Sequence, residues 1–295
     1  MSRITLTLAT LCLGLAFGQA QDFLMMPDST NNRLVTFSAT DGSVINSNLF
    51  GLAGGTPIHA LQVGNEIWVS EQIGDRVSRW SVGGASLGAI SGGLDNIRGM
   101  GLIGGTVYVT NGGTGNGSPG PSVVKYDTSG NSQGFFTTTG TSPSPFSILS
   151  HQGDLLVGSS SGGSDIYRYD ASGSAVSAFH DSTSLNFVEQ MDHDASGNVL
   201  AAGFSSNNIV RLNANTGAVV DSFTANGARG LYRLGNGNIM WTNGSGAWVY
   251  DGSTSTQVYA GGGRYLSPYT AVPEPATMVV LGLGALATLR RRRRA

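Results

Sequence analysis

Six side chains able to bind or to act on a ligand recur along the chain at comparable intervals: His59, Arg98, Ser147, Glu189, Arg229 and Arg264. Each stands beside an apolar pair at the start of a strand-like run, and aligning those pairs puts one of the six in every repeat. Three guanidiniums and an imidazole against one carboxylate would make a basic focus suited to an anion such as a carboxylate or a uronate. The alternative is internal pairing, Glu189 with Arg229 for example, which fills the space and binds nothing. No catalytic residue is nominated, because serines are too numerous and no G-x-S-x-G elbow leads from a strand into a helix. No metal or cofactor is expected either. Hard cations want several oxygen ligands, and of the six only Glu189 and Ser147 offer a side-chain oxygen.

Other motifs are weaker. Asp192-His193-Asp194-Ala195-Ser196-Gly197 opens like a calcium loop, but Gly203 stands where that loop needs its glutamate, so a strand-connecting turn is expected. His151 and His180 have no ligand partners at useful spacing. The Gly-rich insertion from Asn111 to Pro121 lacks the lysine and helix of a phosphate loop and reads as a surface loop over one face.

The elements that must position these residues are short and repeated. An apolar triplet recurs at 24–26, 67–69, 107–109, 155–157, 199–201 and 239–241, with starts 43, 40, 48, 44 and 40 residues apart. A second run follows each triplet, then a turn such as Asp127-Thr128-Ser129-Gly130 or Asp170-Ala171-Ser172-Gly173. Asp bonds its own backbone there and Gly takes positive φ. A last run ends in Phe50, Ile90, Phe136, Phe179, Phe223 or Tyr259. Five units carry a further run ahead of the triplet, at 58–63, 97–103, 146–150, 188–192 and 228–234. The first unit lacks one, and a spare copy, Gly263-Arg264-Tyr265-Leu266, follows the last. Four strands per unit make the blade of a β-propeller. The expectation is an all-β, six-bladed propeller over 22–270, closed by a C-terminal strand that completes the first blade and removes an open edge.

Composition agrees. Charged residues are 12% and glycine is 45 of 295 residues, which suits many strands joined by tight turns. Between the two ends lie 10 basic and 17 acidic residues, a net charge near −7 that disfavours a nucleic-acid partner. The single cysteine, Cys12, falls in the first 20 residues, so disulfides are excluded from the body.

Both ends read as sorting segments. Arg3, an apolar run to Phe17 and small residues at Gly18 and Ala20 form a secretory signal peptide over 1–20, cut after Ala20 by signal peptidase. At the other end, Pro273-Glu274-Pro275 precedes 14 uncharged residues and then Arg290, Arg291, Arg292, Arg293 and Arg294. As a helix the uncharged run would reach about 21 Å, a short membrane span that snorkelling arginines can extend, with those arginines cytoplasmic. This tail, 273–295, closely resembles the PEP-CTERM sorting signal. The resemblance implies export through the secretion machinery, transient anchoring in the inner membrane, recognition by an exosortase, and delivery to the cell surface or extracellular matrix. An anionic exopolysaccharide is the partner a basic mouth would suit there. The repeat resembles the NHL/YVTN/SMP-30 group of propellers, with Val199-Leu200-Ala201 after Asp194-Ala195-Ser196-Gly197-Asn198 as its best local match. The functional expectation is a non-catalytic binding or structural module. The alternative is a metal-dependent lactonase of the SMP-30 kind, although that family's metal set does not carry over.

Overall fold

A computed structural model describes residues 22–161 and 165–270; the signal peptide and the apolar tail expected above lie outside the described residues. Twenty-four strands form six four-stranded antiparallel sheets. Blade 2 holds β4 (Pro57–Val63), β5 (Glu66–Glu71), β6 (Arg76–Ser81) and β7 (Ser86–Ser91). Blade 3 holds β8 (Ile97–Ile103), β9 (Thr106–Asn111), β10 (Ser122–Asp127) and β11 (Ser132–Thr137). Blade 4 runs from β12 (Pro145–His151) through β13 (Asp154–Ser159) and β14 (Ile166–Tyr169) to β15 (Ala175–His180). Blade 5 comprises β16 (Val188–His193), β17 (Val199–Gly203), β18 (Asn208–Leu212) and β19 (Val219–Thr224). Blade 6 comprises β20 (Leu231–Arg233), β21 (Ile239–Asn243), β22 (Gly246–Tyr250) and β23 (Ser255–Ala260).

Blade 1 closes the ring. β1 (Asp22–Asp28), β2 (Arg33–Ser38) and β3 (Val44–Gly51) come from the start of the body, and β24 (Ser267–Thr270) pairs with β1 as the innermost strand. The expected closure by a C-terminal strand therefore occurs, but with different residues. The segment 263–266 makes only one bridge, Asp28 with Gly263. Its other backbone groups go elsewhere: Tyr265 N–H donates to the Ile58 carbonyl at 3.1 Å, and Leu266 N–H donates to Gln190 Oε1 at 2.9 Å. The inner strand of blade 6 is also shorter than expected, because Arg229 and Gly230 bond Thr242 outside the strand ladder.

Side-chain burial explains why the inner strands read as apolar runs instead of alternating ones. Each blade is covered on both faces by a neighbour. Six apolar clusters fill the six blade junctions; Trp68 and Val77 of blade 2, for example, pack with Ile97, Val109 and Tyr126 of blade 3. The aromatic residues that end successive runs meet across these junctions. Phe50 packs on Trp80 at 5.6 Å, Phe136 on Tyr169 at 5.1 Å and Phe223 on Tyr250 at 3.8 Å between ring centroids. Asp127 and Asp170 accept backbone hydrogen bonds from the residues of their own turns, as their sequences require.

The glycine ending one such turn is a packing element as well. Gly173 has φ +93°, and a Cβ there would lie 2.5 Å from the Phe136 ring. Gly173→Ala is expected to cost about 2–3 kcal/mol, from strain and overpacking together, measured by denaturant unfolding. The outermost strands carry few titratable residues, Asp221 and His180 among them, and each pairs with its inner neighbour through a register shift. Such bulges twist an edge away from edge-to-edge pairing without using charge.

Candidate functional site: the mouth of the central channel

The pairing registers define two rings of residues at the start of the inner strands. Pro57, Ile97, Pro145 and Val188 occupy one level, opposite Glu71, Asn111, Ser159 and Gly203. The next level is therefore Ile58, Arg98, Phe146 and Glu189, joined by Arg229 and Arg264 at the start of their segments. The level after that contains His59, Gly99, Ser147, Gln190, Gly230 and Tyr265. Of the six residues aligned by sequence, Arg98, Glu189, Arg229 and Arg264 share the mouth. His59 and Ser147 sit one level deeper. The proline that opens β4 and β12 takes the position of Ile97 and Val188. The apolar match is thereby displaced by one residue, which changes the level and face of every side chain.

The deeper ring borders a cavity of about 150 Å³ whose lining includes His59, Gly99, Ser147, Gln190, Asp192 and Tyr265. His59 Nδ1 accepts from Met100 N–H at 2.9 Å, so Nε2–H donates to Ser267 Oγ at 2.5 Å. Burial pushes the His59 pKa down to about 3, which keeps the imidazole neutral and removes it from the basic focus. Burial also raises Asp192 to about 6. Gln190 bridges blades: Oε1 accepts from Leu231 and Leu266 N–H, and Nε2 donates to the Leu266 carbonyl. Tyr265, which the sequence alignment passed over beside Arg264, is fully buried at the axis. Its ring lies 5.3 Å from His59, and its hydroxyl donates to the Phe146 carbonyl at 3.4 Å and bonds Glu189.

In the mouth ring Glu189 is 3% exposed. Burial raises its pKa to about 7, against the pull of Arg229, Arg264 and Arg98. Burial likewise lowers Arg98 and Arg264 to about 10, with repulsion from Arg229 adding to the effect on Arg264. Arg98 is braced: Nη1 donates to Ser144 Oγ and the Pro145 carbonyl, and the guanidinium lies 4.0 Å from the Phe146 ring centroid. Arg264 Nε donates to Ser29 Oγ at 2.9 Å. Among the described residues, no ion pair within 4.0 Å joins Glu189 to an arginine. Glu189 Oε2, Arg98 Nε and Arg229 Nε are buried with no hydrogen-bond partner. The internal plug weighed from sequence is thus not made by direct pairing. A small residue follows the second strand in each blade that contributes an arginine: Gly112 beside Arg98, Gly244 beside Arg229, and Ser29 bonding Arg264.

This donor set does not fit the divalent ion of an SMP-30-type lactonase. Glu189 is the one carboxylate in the ring, and three guanidiniums would repel a cation there. The calcium-like segment makes a turn, with Asp194 Oδ1 accepting from Ser196 and Asn198 N–H. His151 and His193, from the inner strands of adjacent blades, hydrogen-bond each other at 2.9 Å, and His180 bonds the Gly217 carbonyl and Ser182. Among the described residues no cluster of three His, Cys, Asp or Glu side chains is placed to hold a metal. The insertion from Asn111 is pinned by its own Asn111 side chain, which donates to Gly113 O, Ser118 Oγ and Gly120 O.

Comparison with known proteins bears on the fold and on sorting. The chain is similar to a protein of unknown function from Bacteroides caccae, at 14% identity and a TM-score of 0.61 over 84% of this chain and 98% of that one. It is similar to a chain of a nidogen/laminin complex, at 12% identity and a TM-score of 0.69 over 84% and 98%. A virginiamycin B lyase from Staphylococcus aureus matches at 12% identity and a TM-score of 0.56 over 87% of each chain. Identities this low establish the fold and no activity. No curated protein matches the sequence. Residues 271–294 match the PEP-CTERM protein-sorting motif, which implies exosortase-targeted export to the cell surface or beyond. The chain is an exported six-bladed β-propeller that carries a PEP-CTERM sorting motif.

Proposed function

We propose that the body is a non-catalytic binding module whose channel mouth takes a carboxylate-bearing ligand, an acidic exopolysaccharide being the partner class it suits. The observation that carries this reading is the ring of Arg98, Arg229 and Arg264 around Glu189, without direct ion pairs and with buried polar atoms left unpartnered. Three guanidiniums whose charges act together on one buried carboxylate favour an incoming anion. In this reading residues 1–20 are removed as a signal peptide and 22–270 form the binding body. The tail 273–295 holds the chain in the inner membrane, arginines inward, until the exosortase acts at Pro273-Glu274-Pro275.

Arg98 braces Ser144 and Pro145, so its removal would mix folding with binding. The test falls on the half-buried Arg229 and Arg264. The double variant Arg229→Gln, Arg264→Gln is expected to weaken D-glucuronate binding at least about tenfold in calorimetric titration, with its unfolding midpoint close to that of the parent. Unchanged affinity would remove the mouth as the binding site.

A further inference from the structure

Blade 5 departs from its neighbours at two rim positions beside the mouth. The residue two before the mouth-ring side chain is Thr56, Asn96, Phe187 and Gly227 in blades 2, 3, 5 and 6, and all four have left-handed backbone, at φ 58°, 53°, 56° and 62°. Gly and Asn tolerate that region; the β-branched Thr56 and the bulky Phe187 are both strained there, Phe187 alone bringing an aromatic ring to the rim, and such strain concentrates at functional sites. The residue that follows the second strand is Gly112 in blade 3, Gly244 in blade 6 and Phe204 in blade 5. Phe204 N–H donates to the Phe187 carbonyl at 2.9 Å, as Gly112 N–H does to that of Asn96 at 3.3 Å, so the positions correspond.

The two phenylalanines extend a line of rings between two mouth arginines. Arg98 lies over Phe146, Phe146 meets Phe187 at 4.6 Å, Phe187 meets Phe204 at 5.0 Å, and Arg229 lies over Phe204 at 5.5 Å. Phe187 and Phe204 are only half-buried, so apolar surface reaches the rim. Hydroxyl side chains stand next to it: Ser205 and Ser206 follow Phe204 in the chain, and Ser206 Oγ accepts from the N–H of Asn186, the residue before Phe187. Cations, an apolar platform and hydroxyls in one place complement a ligand with a carboxylate, a flat C–H face and ring hydroxyls.

We propose that Phe187 and Phe204 form a stacking platform for the ring of a pyranuronate whose carboxylate enters the mouth. The proposal rests on the carboxylate reading above and adds the class of ligand. Its test compares three probes on the full-length chain by calorimetric titration: D-glucuronate, the open-chain acid D-gluconate, and uncharged methyl glucoside. Glucuronate is expected to bind at least about tenfold more tightly than either, the scale of one aromatic stacking contact or one charge-assisted contact. Phe187→Asn removes the ring while suiting the left-handed backbone, and it should erase the preference for glucuronate over gluconate without changing gluconate affinity. Phe204→Leu should reduce the same preference. A purely structural Phe187 would lower the melting temperature and leave the ratio of the two acids intact. Equal binding of the two acids by the parent, or a preference that survives Phe187→Asn, overturns the platform while the mouth stands. Methyl glucoside binding as tightly as glucuronate, or no binding of either acid, overturns the mouth reading and the platform with it.

Discussion

Asp28→Ala is expected to lower the melting temperature by roughly 10 °C, the largest stability loss of any single substitution considered for this chain. Asp28 is fully buried where the ends of the body meet. Its Oδ1 accepts from Thr30, Asn31 and Gly262 N–H, and its Oδ2 accepts from Asn31 Nδ2, Arg33 Nε and the Tyr259 hydroxyl at 2.5 Å. Tyr259 and Gly262 belong to the far end of the sequence, so one carboxylate ties the first blade to the last. Alanine would strand those donors in a closed seam and leave Arg33 without its counter-ion, at a cost of about 3–5 kcal/mol. Burial by itself would raise the Asp28 pKa; the hydrogen bonds from Asn31, Tyr259 and Gly262 outweigh it and hold the group at about 2. The folded pKa lies below the ordinary value of 3.8. This contribution is therefore present above about pH 4 and is lost as pH falls towards 2, by about 2 kcal/mol. Thermal melts at pH 7 and pH 3 check both statements: the gap between parent and Asp28→Ala should narrow at the lower pH.

Glu189 should act in the opposite sense, on both stability and binding. Its folded pKa of about 7 exceeds the ordinary 4.5, so the folded chain holds a proton that the unfolded chain has released. Stability from this group is complete below about pH 4.5 and declines as pH rises through 7. Protonated Glu189 leaves three arginines facing the mouth with no competing anion; ionised Glu189 occupies their field. Affinity for glucuronate is expected to fall by roughly tenfold between pH 6 and pH 8 as the internal carboxylate replaces the external one. Glu189→Gln should bind at pH 8 as the parent does at pH 6 and flatten the profile. It should also raise the melting temperature at pH 8. Among the other titratable groups near the mouth, Arg98, Arg264 and Tyr265 ionise well above this window and neutral His59 titrates below it, whereas Asp192 in the deeper cavity, raised to about 6 by burial, titrates at its lower edge, so Asp192→Asn is the control variant. A steep pH profile persisting in Glu189→Gln would assign the effect to another group.

Much of the architecture was legible because each blade repeats one local pattern. The apolar triplets became the second strands, the Asp-Gly segments became turns, and the aromatic ends met as Phe50 on Trp80 and Phe136 on Tyr169. Ring closure was legible too, but β24 uses 267–270 instead of 263–266. Gln190 and Ile58 draw the earlier segment into the axis, and neither contact has a signature in the sequence. The grouping of the candidate site's side chains was legible in part. Arg98, Glu189, Arg229 and Arg264 converge as alignment implied, whereas His59 and Ser147 fall one level deeper because Pro57 and Pro145 displace the apolar pairs. Tyr265 escaped notice because nothing local marks a tyrosine that will occupy the axis. Gly112 was an available signal for Arg98, since a Cβ there would lie 2.4 Å from its guanidinium, whereas Gly244 beside Arg229 would accept one at 3.6 Å.

By itself the sequence determined the class of fold, the number of blades and the sorting tail, since each depends on residues close together in the chain. Turn chemistry, strand-length apolar runs and a Pro-Glu-Pro segment with its basic end are local properties that need no tertiary context. Tertiary structure alone decided which polar side chains share the mouth and what charge they carry. Mouth residues come from different blades, tens of residues apart, so a one-residue slip in a single strand moves a side chain to another level. Their ionisation follows from burial, which is why Glu189 is held near neutrality while His59, one level below, is uncharged.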